Sequence, residues 1–260
     1  MTRKSISFTI LMFSFLTSSF AQDLSLFEKK MYISGTDTLR YRLLLPENFD
    51  KSKKYPLVLF LHGAGERGND NEKQLVLGMP RFVEPGNRKN LPCIVIAPQC
   101  PLIQSWHSAK TNRDVSPPVR EFDYTKPIPK PLQLAIDLTN SIINEGSVDK
   151  SKVVIAGLSM GGMGTFEAVG RFPKLFVAAA PICGGGDTKF YSSTQAKVDF
   201  WIFHGDADAT VDVKYSLAMY ARLQELKANV KYTGYPGVGH NSWDNAFAEA
   251  DFLPWLLGKH

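Results

Sequence analysis

The chain has 260 residues, with 30 Lys+Arg against 25 Asp+Glu, 44% hydrophobic and 21% charged residues, 20 Gly and 16 Pro. These proportions exclude a disordered, collagenous or multi-span membrane protein and allow one full-sized core. Part of the excess of five positive charges belongs to Arg3 and Lys4 in a leader, so the balance gives no support to nucleic-acid binding.

The opening residues predict an export signal. Arg3-Lys4 is followed by an uncharged stretch from Ser5 to Phe20 and by Ser19-Phe20-Ala21, a small-residue cleavage site ahead of Gln22. The apolar run is short and interrupted by Ser7, Thr9, Ser14, Thr17 and Ser18, whereas a membrane span needs about 20 mostly apolar residues. The expectation is removal of residues 1–21, a single domain over 22–260, and a periplasmic or secreted location with no membrane partner.

In chain order, residues 30–33 and 40–45 flank Ser34-Gly35-Thr36-Asp37 and predict an N-terminal antiparallel hairpin. Short, almost wholly apolar runs follow at 57–61, 93–97, 153–156, 176–180 and 200–203. They lack the apolar/polar alternation of half-exposed strands and predict parallel strands buried on both faces. Helical segments are expected at 132–144, 163–171 and 214–228, with a last strand at 230–235 and a closing helix over 242–257, interrupted or kinked near Pro254. Strands alternating with helices predict an α/β class, with a mostly parallel central sheet flanked by helices.

The irregular segment 101–131 holds six of the 16 prolines with Trp106, His107 and Tyr124. It is too long for a plain connection and is expected to cap a site. Cys93, Cys100 and Cys183 are odd in number, so no disulfide framework follows. The spacing of Cys and His calls for no structural metal, and nothing in the chain calls for a cofactor.

Gly157-Leu158-Ser159-Met160-Gly161 reads G-x-S-x-G directly after an apolar run and ahead of a helical segment. That context suits a sharp turn that exposes a serine nucleophile. A serine hydroxyl is weak near neutral pH and needs a general base oriented by a carboxylate, both downstream. The segment His204-Gly205-Asp206-Ala207-Asp208 follows the run 200–203 and offers two acids. His240 follows the last strand in a Gly-rich turn and is the candidate base. His204 abuts an apolar strand and is expected to be a hydrogen-bonded structural histidine.

With Leu61-His62-Gly63-Ala64-Gly65-Glu66-Arg67-Gly68 and Gly239-His240-Asn241-Ser242-Trp243, these motifs make the chain resemble the α/β-hydrolase serine esterases. Within them it resembles the bacterial secreted feruloyl/acetylxylan-esterase and polyhydroxyalkanoate-depolymerase-like group, from about Leu43 to Trp255. The resemblance implies Ser159 as nucleophile, His240 as base and Asp208, rather than Asp206 or Asp212, as orienting acid. It also implies an oxyanion hole from the N–H groups of Met160 and Ala64, because charge develops on the attacked carbonyl. Glu66 and Arg67 are expected to form an ion pair bracing that loop, with a substrate contact as the alternative. Trp243 and Trp106 are candidates to stack on an aromatic acyl group or a sugar ring, with packing of Trp243 against the closing helix as the alternative. The implied activity is hydrolysis of small-molecule or polysaccharide-linked esters, acetyl or feruloyl, through an acyl-enzyme. Peptide or lipid-ester hydrolysis and a non-catalytic glycan-binding module are the rival readings.

Overall fold

The computed structural model describes residues 23–258 and 260; the expected leader, 1–21, lies outside the described residues. An eight-stranded sheet runs through the molecule in the order β1-β2-β4-β3-β7-β8-β9-β10. Its first two strands, β1 (Glu28–Ser34) and β2 (Asp37–Leu44), form the predicted hairpin, and β2 lies antiparallel to β4 (Ile94–Pro98). The remaining strands, β3 (Tyr55–Leu61), β7 (Val148–Leu158), β8 (Ala178–Ile182), β9 (Asp199–Gly205) and β10 (Val230–Tyr235), run parallel to their neighbours. A separate hairpin, β5 (Lys110–Asn112) with β6 (Val119–Glu121), is built from the irregular segment. This is the α/β-hydrolase fold.

The sheet divides the core in two because side chains alternate across a strand. Leu57, Leu59, Leu61, Ile155 and Ile202 enter one core with Leu132, Leu138, Phe166, Met219 and Leu223. These last five belong to helices α3 (Lys130–Asn144), α4 (Met160–Arg171) and α5 (Lys214–Glu225). Val58, Phe60, Val154, Trp201 and Phe203 enter the other core with Phe82, Phe247, Phe252 and Leu256. That face is covered by α1 (Pro80–Val83), α6 (Trp243–Ala248) and α7 (Phe252–Leu256), with α2 (Pro85–Asn90) next along the chain from α1. Burial on both faces is why the central strands read as continuous apolar runs.

Several boundaries differ from expectation, and two bear on the packing. Strand β8 covers 178–182 rather than 176–180, and Pro181 is accommodated within it, opposite Gly157 of β7. The closing helix is two helices, and the break falls at residues 249–251, not at Pro254. Pro254 is the third residue of α7, where a backbone N–H has no intrahelical acceptor, so the missing donor is harmless there.

Candidate functional site

The carboxyl ends of β3, β7, β9 and β10 converge on one rim, where open α/β sheets bind their ligands. Ser159 follows β7 at once and begins α4, at φ 54° and ψ −113°. A non-glycine residue rarely adopts this conformation, and it persists only where the surroundings enforce it. The Ser159 N–H donates to Ile182 O at 2.8 Å and its carbonyl accepts from Met163 N–H at 3.0 Å, fixing the turn from both sides. The flanking glycines are required by close approach. A Cβ at Gly161 would stand 1.8 Å from Leu61 O, and one at Gly157 would stand 2.5 Å from Gly161 O.

His240 lies in the loop between β10 and α6, and Asp208 in the loop between β9 and α5. Ser159 Oγ is 2.8 Å from His240 Nε2, and His240 Nδ1 is 2.7 Å from Asp208 Oδ2. Asp208 is buried, and its Oδ1 accepts the N–H groups of Thr210 at 2.8 Å and Val211 at 2.9 Å. Burial alone raises its carboxyl, but hydrogen bonds from His204, His240 and Val211 outweigh that and hold it well below the usual carboxylate range. An ionised Asp208 accepts the Nδ1 proton of His240, leaving Nε2 unprotonated toward Ser159.

The structure separates the other candidates. His204 is fully buried, with Nδ1 2.7 Å from Ser216 Oγ and Nε2 2.8 Å from Val211 O, as expected of a structural histidine. It also lies 3.2 Å from Asp208 Oδ2 and so helps to hold that carboxylate. Asp206 accepts Gly237 N–H at 2.6 Å and ties down the His240 loop, while Asp212 pairs with Lys214 at 2.9 Å. Neither meets His240.

A cavity of about 520 Å³ opens beside Ser159 and His240, lined among others by Ala64, Met160, Met163, Leu158 and Trp243. Ala64 and Met160 each open a helical turn, so their N–H groups have no partner within that turn. Trp243 lines this cavity with its ring edge-on to His240, centroids 5.2 Å apart, and also packs against the second core.

Trp106 corrects an expectation. It is fully buried in the first core and does not line the cavity. Its indole N–H donates to His62 O at 3.1 Å, and its ring meets that of His62 edge-on at 5.3 Å. His62 accepts Cys100 N–H on Nε2 at 2.9 Å, which places its proton on Nδ1, 2.6 Å from Gly63 O. Burial holds this imidazole down to about 4, so it stays neutral and pins the loop after β3. Trp106 therefore supports the loop rather than a ligand.

The expected Glu66–Arg67 ion pair is also absent among the described residues. Arg67 still braces the loop, donating to Ala64 O at 2.9 Å and Gln104 O at 3.3 Å. Glu66 turns inward, where burial pushes its carboxyl up against the lowering effect of the Gly63 and Glu66 N–H groups.

Segment 101–131 does reach the site, contributing Ser105, His107, Thr111, Arg113 and Arg120 to the cavity. It is anchored by the fully buried Glu167 of α4, whose Oε2 accepts Ser108 N–H at 2.7 Å and Ser108 Oγ–H at 3.0 Å. The other oxygen of Glu167 pairs with Arg171 at 2.7 Å. Sequence reasoning named Ser159, His240 and Asp208 but not Arg120 or Glu167, which belong to no local motif.

Among the described residues, Cys183, Asp208 and His240 have ligand atoms within 4.8 Å of one another. They fit a metal poorly. Asp208 and His240 spend their facing atoms on each other, and burial pushes the Cys183 thiol far up, away from the thiolate a metal needs. Cys93 and Cys100 are likewise free and buried, each pushed up to about 12 by burial.

The model of the phospholipase/carboxylesterase family matches residues 49–253. The chain belongs to that family. Among solved structures, this phospholipase/carboxylesterase-family chain is similar to a thermostable esterase, with 35% identity and a TM-score of 0.80 over 89% of this chain and 62% of that one. It also shares its fold with a ferulic acid esterase, at 20% identity and a TM-score of 0.65, covering 88% of this chain and 97% of the other. An uncharacterized secreted protein of Arthroderma benhamiae is 28% identical over 83% of this chain, which spans only 24% of that protein. Acyl-protein thioesterase 1 of Neurospora crassa is 32% identical over 47% of this chain and 53% of its own length. Among the described residues, no helix of this family member is long and apolar enough to cross a membrane.

Proposed function

We propose that the protein is a serine ester hydrolase working through an acyl-enzyme on Ser159. The observation that carries this reading is the unbroken series Ser159 Oγ–His240 Nε2 at 2.8 Å and His240 Nδ1–Asp208 Oδ2 at 2.7 Å, set on a strained turn and open to a cavity. As Ser159 Oγ attacks the ester carbonyl, His240 Nε2 takes its proton, and Asp208 stabilises the imidazolium that forms. The carbonyl oxygen becomes an oxyanion, for which the N–H groups of Met160 and Ala64 are the donors, the first also favoured by the dipole of α4. His240 returns the proton to the departing alcohol. It then deprotonates a water that attacks the acyl carbonyl, and Ser159 is regained.

The substrates we assign are small or polysaccharide-linked esters, acetyl or feruloyl, cleaved outside the cytoplasm after removal of residues 1–21. The motif resemblance and the flat ring of Trp243 at the cavity support this reading. A fluorophosphonate is expected to label the wild type on Ser159. Ser159→Ala should abolish labelling and lower kcat on p-nitrophenyl acetate by at least about 10⁴-fold. Unchanged labelling of the variant would remove Ser159 from the mechanism. A panel of methyl ferulate, acetylated xylan, long-chain esters and aminoacyl amides tests the acyl group, and preference for the amides would overturn the ester reading.

A further inference from the structure

The cavity beside Ser159 is lined by three arginines, Arg67, Arg113 and Arg120, against a single acidic residue, Glu66. Arg120 is the informative one. It sits on β6 with 8% of its surface exposed, so it is a buried cation. A guanidinium offers five N–H donors. Among the described residues the hydrogen bond this side chain makes is NH1 to Pro118 O at 3.5 Å, at the outer limit of a hydrogen bond. Among the described residues it forms no ion pair.

Among the described residues the chain treats its other covered guanidiniums differently. Arg42, 9% exposed, donates to Asn71 O at 2.6 Å and also to Phe27 O. Even the half-buried Arg171 is paired with Glu167 through both Nε and NH2. A buried charge without such partners is unfavourable and calls for a counter-charge. Asp208 acts on Arg120 through space, yet its oxygens are already engaged by His240, His204 and two N–H groups. His107 adds no charge of its own, since burial and the nearby Arg120 and Arg67 hold it down to about 4. The backbone of Arg120 is fixed independently, its N–H donating to Tyr215 Oη at 2.6 Å, so the guanidinium is presented by an anchored strand.

We infer that the cavity is built for esters that carry a carboxylate, which Arg120 grips as a planar fork while Arg67 and Arg113 extend the positive field. This deepens the ester-hydrolase reading and rests on it. A fork-to-fork guanidinium–carboxylate pair is strong and directional, so it would orient the ester at Ser159 as well as bind it. The substrate class is then a half-ester of a dicarboxylic acid or an acylated acidic sugar, with the carboxylate on the acyl or on the alcohol side.

Two substrate pairs separate these sources: monomethyl succinate against methyl succinamate, and 4-acetoxybenzoate against 4-acetoxybenzamide. The wild type is expected to favour the charged member of at least one pair by about tenfold or more in kcat/KM, chiefly through KM. Arg120→Gln should cut that preference to about twofold, whereas Arg120→Lys, a point charge without the fork, should retain part of it. Arg113→Gln, at an exposed rim position, should lower it modestly and in a salt-dependent way. Absence of a preference in the wild type, or its survival in Arg120→Gln, would overturn the inference. If no ester is turned over, the hydrolase reading fails separately, and the anion subsite is judged by melting temperature. A rise with sodium benzoate and not with benzamide, lost in Arg120→Gln, would uphold it, and equal shifts would overturn it.

Discussion

Asp208→Asn tests the site through one proton. Asp208 Oδ1 accepts two backbone N–H groups, from Thr210 and Val211, and Oδ2 faces His240 Nδ1 at 2.7 Å. In an asparagine the carbonyl oxygen must keep the two N–H donors, because an NH₂ there would meet them donor to donor. The NH₂ then points at His240 Nδ1, which must become an acceptor, and the imidazole proton moves to Nε2. That nitrogen stands 2.8 Å from Ser159 Oγ and can no longer take its proton. The same tautomer error in a serine protease lowers kcat about 10⁴-fold, or roughly 5 kcal/mol in the barrier. His204 Nε2, 3.2 Å from the same oxygen and donating to Val211 O, also loses an acceptor, so a modest fall in melting temperature accompanies the change. The assay is kcat on p-nitrophenyl acetate for protein shown to be folded by a cooperative melt. A kcat within tenfold of the wild type would refute the argument. Greater damage from Asp206→Asn would move the acid to Asp206, whose carboxylate accepts Gly237 N–H in this structure.

Glu167→Ala should destabilise the protein by about 3 kcal/mol, because it strands Arg171 and the Ser108 donors that the buried carboxylate now satisfies. It should also raise KM by loosening the segment that brings His107 and Arg120 to the cavity; denaturant melts and steady-state kinetics read both. Glu66→Gln should raise the melting temperature at pH 8, with the gap closing near pH 4. Burial raises the Glu66 carboxyl above its ordinary 4.5, so its favourable contribution is complete below that value and is lost as the pH climbs through the folded-state value. A gap that widens on acidification would contradict that placement of Glu66.

The catalytic candidates were legible because each sits where local sequence controls local geometry. Gly157 and Gly161 are needed whatever the rest of the chain does, since strand and helix backbones nearly touch there. Asp208 follows a strand whose apolar run announces it, His240 sits in a Gly-rich turn after the half-exposed edge strand β10, and loops after parallel strands all open on one rim. Trp106 was misplaced for the converse reason. Its segment has no periodicity, so nothing local says whether its ring faces a ligand or the core; the bond to His62 O and the packing under β3 and α4 decide that. The Glu66–Arg67 pair failed similarly, because adjacent residues do not share a direction, and the backbone carbonyls of Ala64 and Gln104 captured the guanidinium.

The sequence by itself determined the fold class, the opening hairpin, Ser159 and His240, since buried parallel strands and a strained serine turn impose residue types at short range; it left Asp206 and Asp208 both open, and the family resemblance chose Asp208. Tertiary structure alone decided which groups outside those motifs line the cavity. Arg120, Glu167 and Trp106 acquire their roles from partners 44 to 95 positions away, such as His62, Ser108 and Tyr215. The energy of a buried charge or indole depends on what the folded chain brings against it, and no local pattern encodes that.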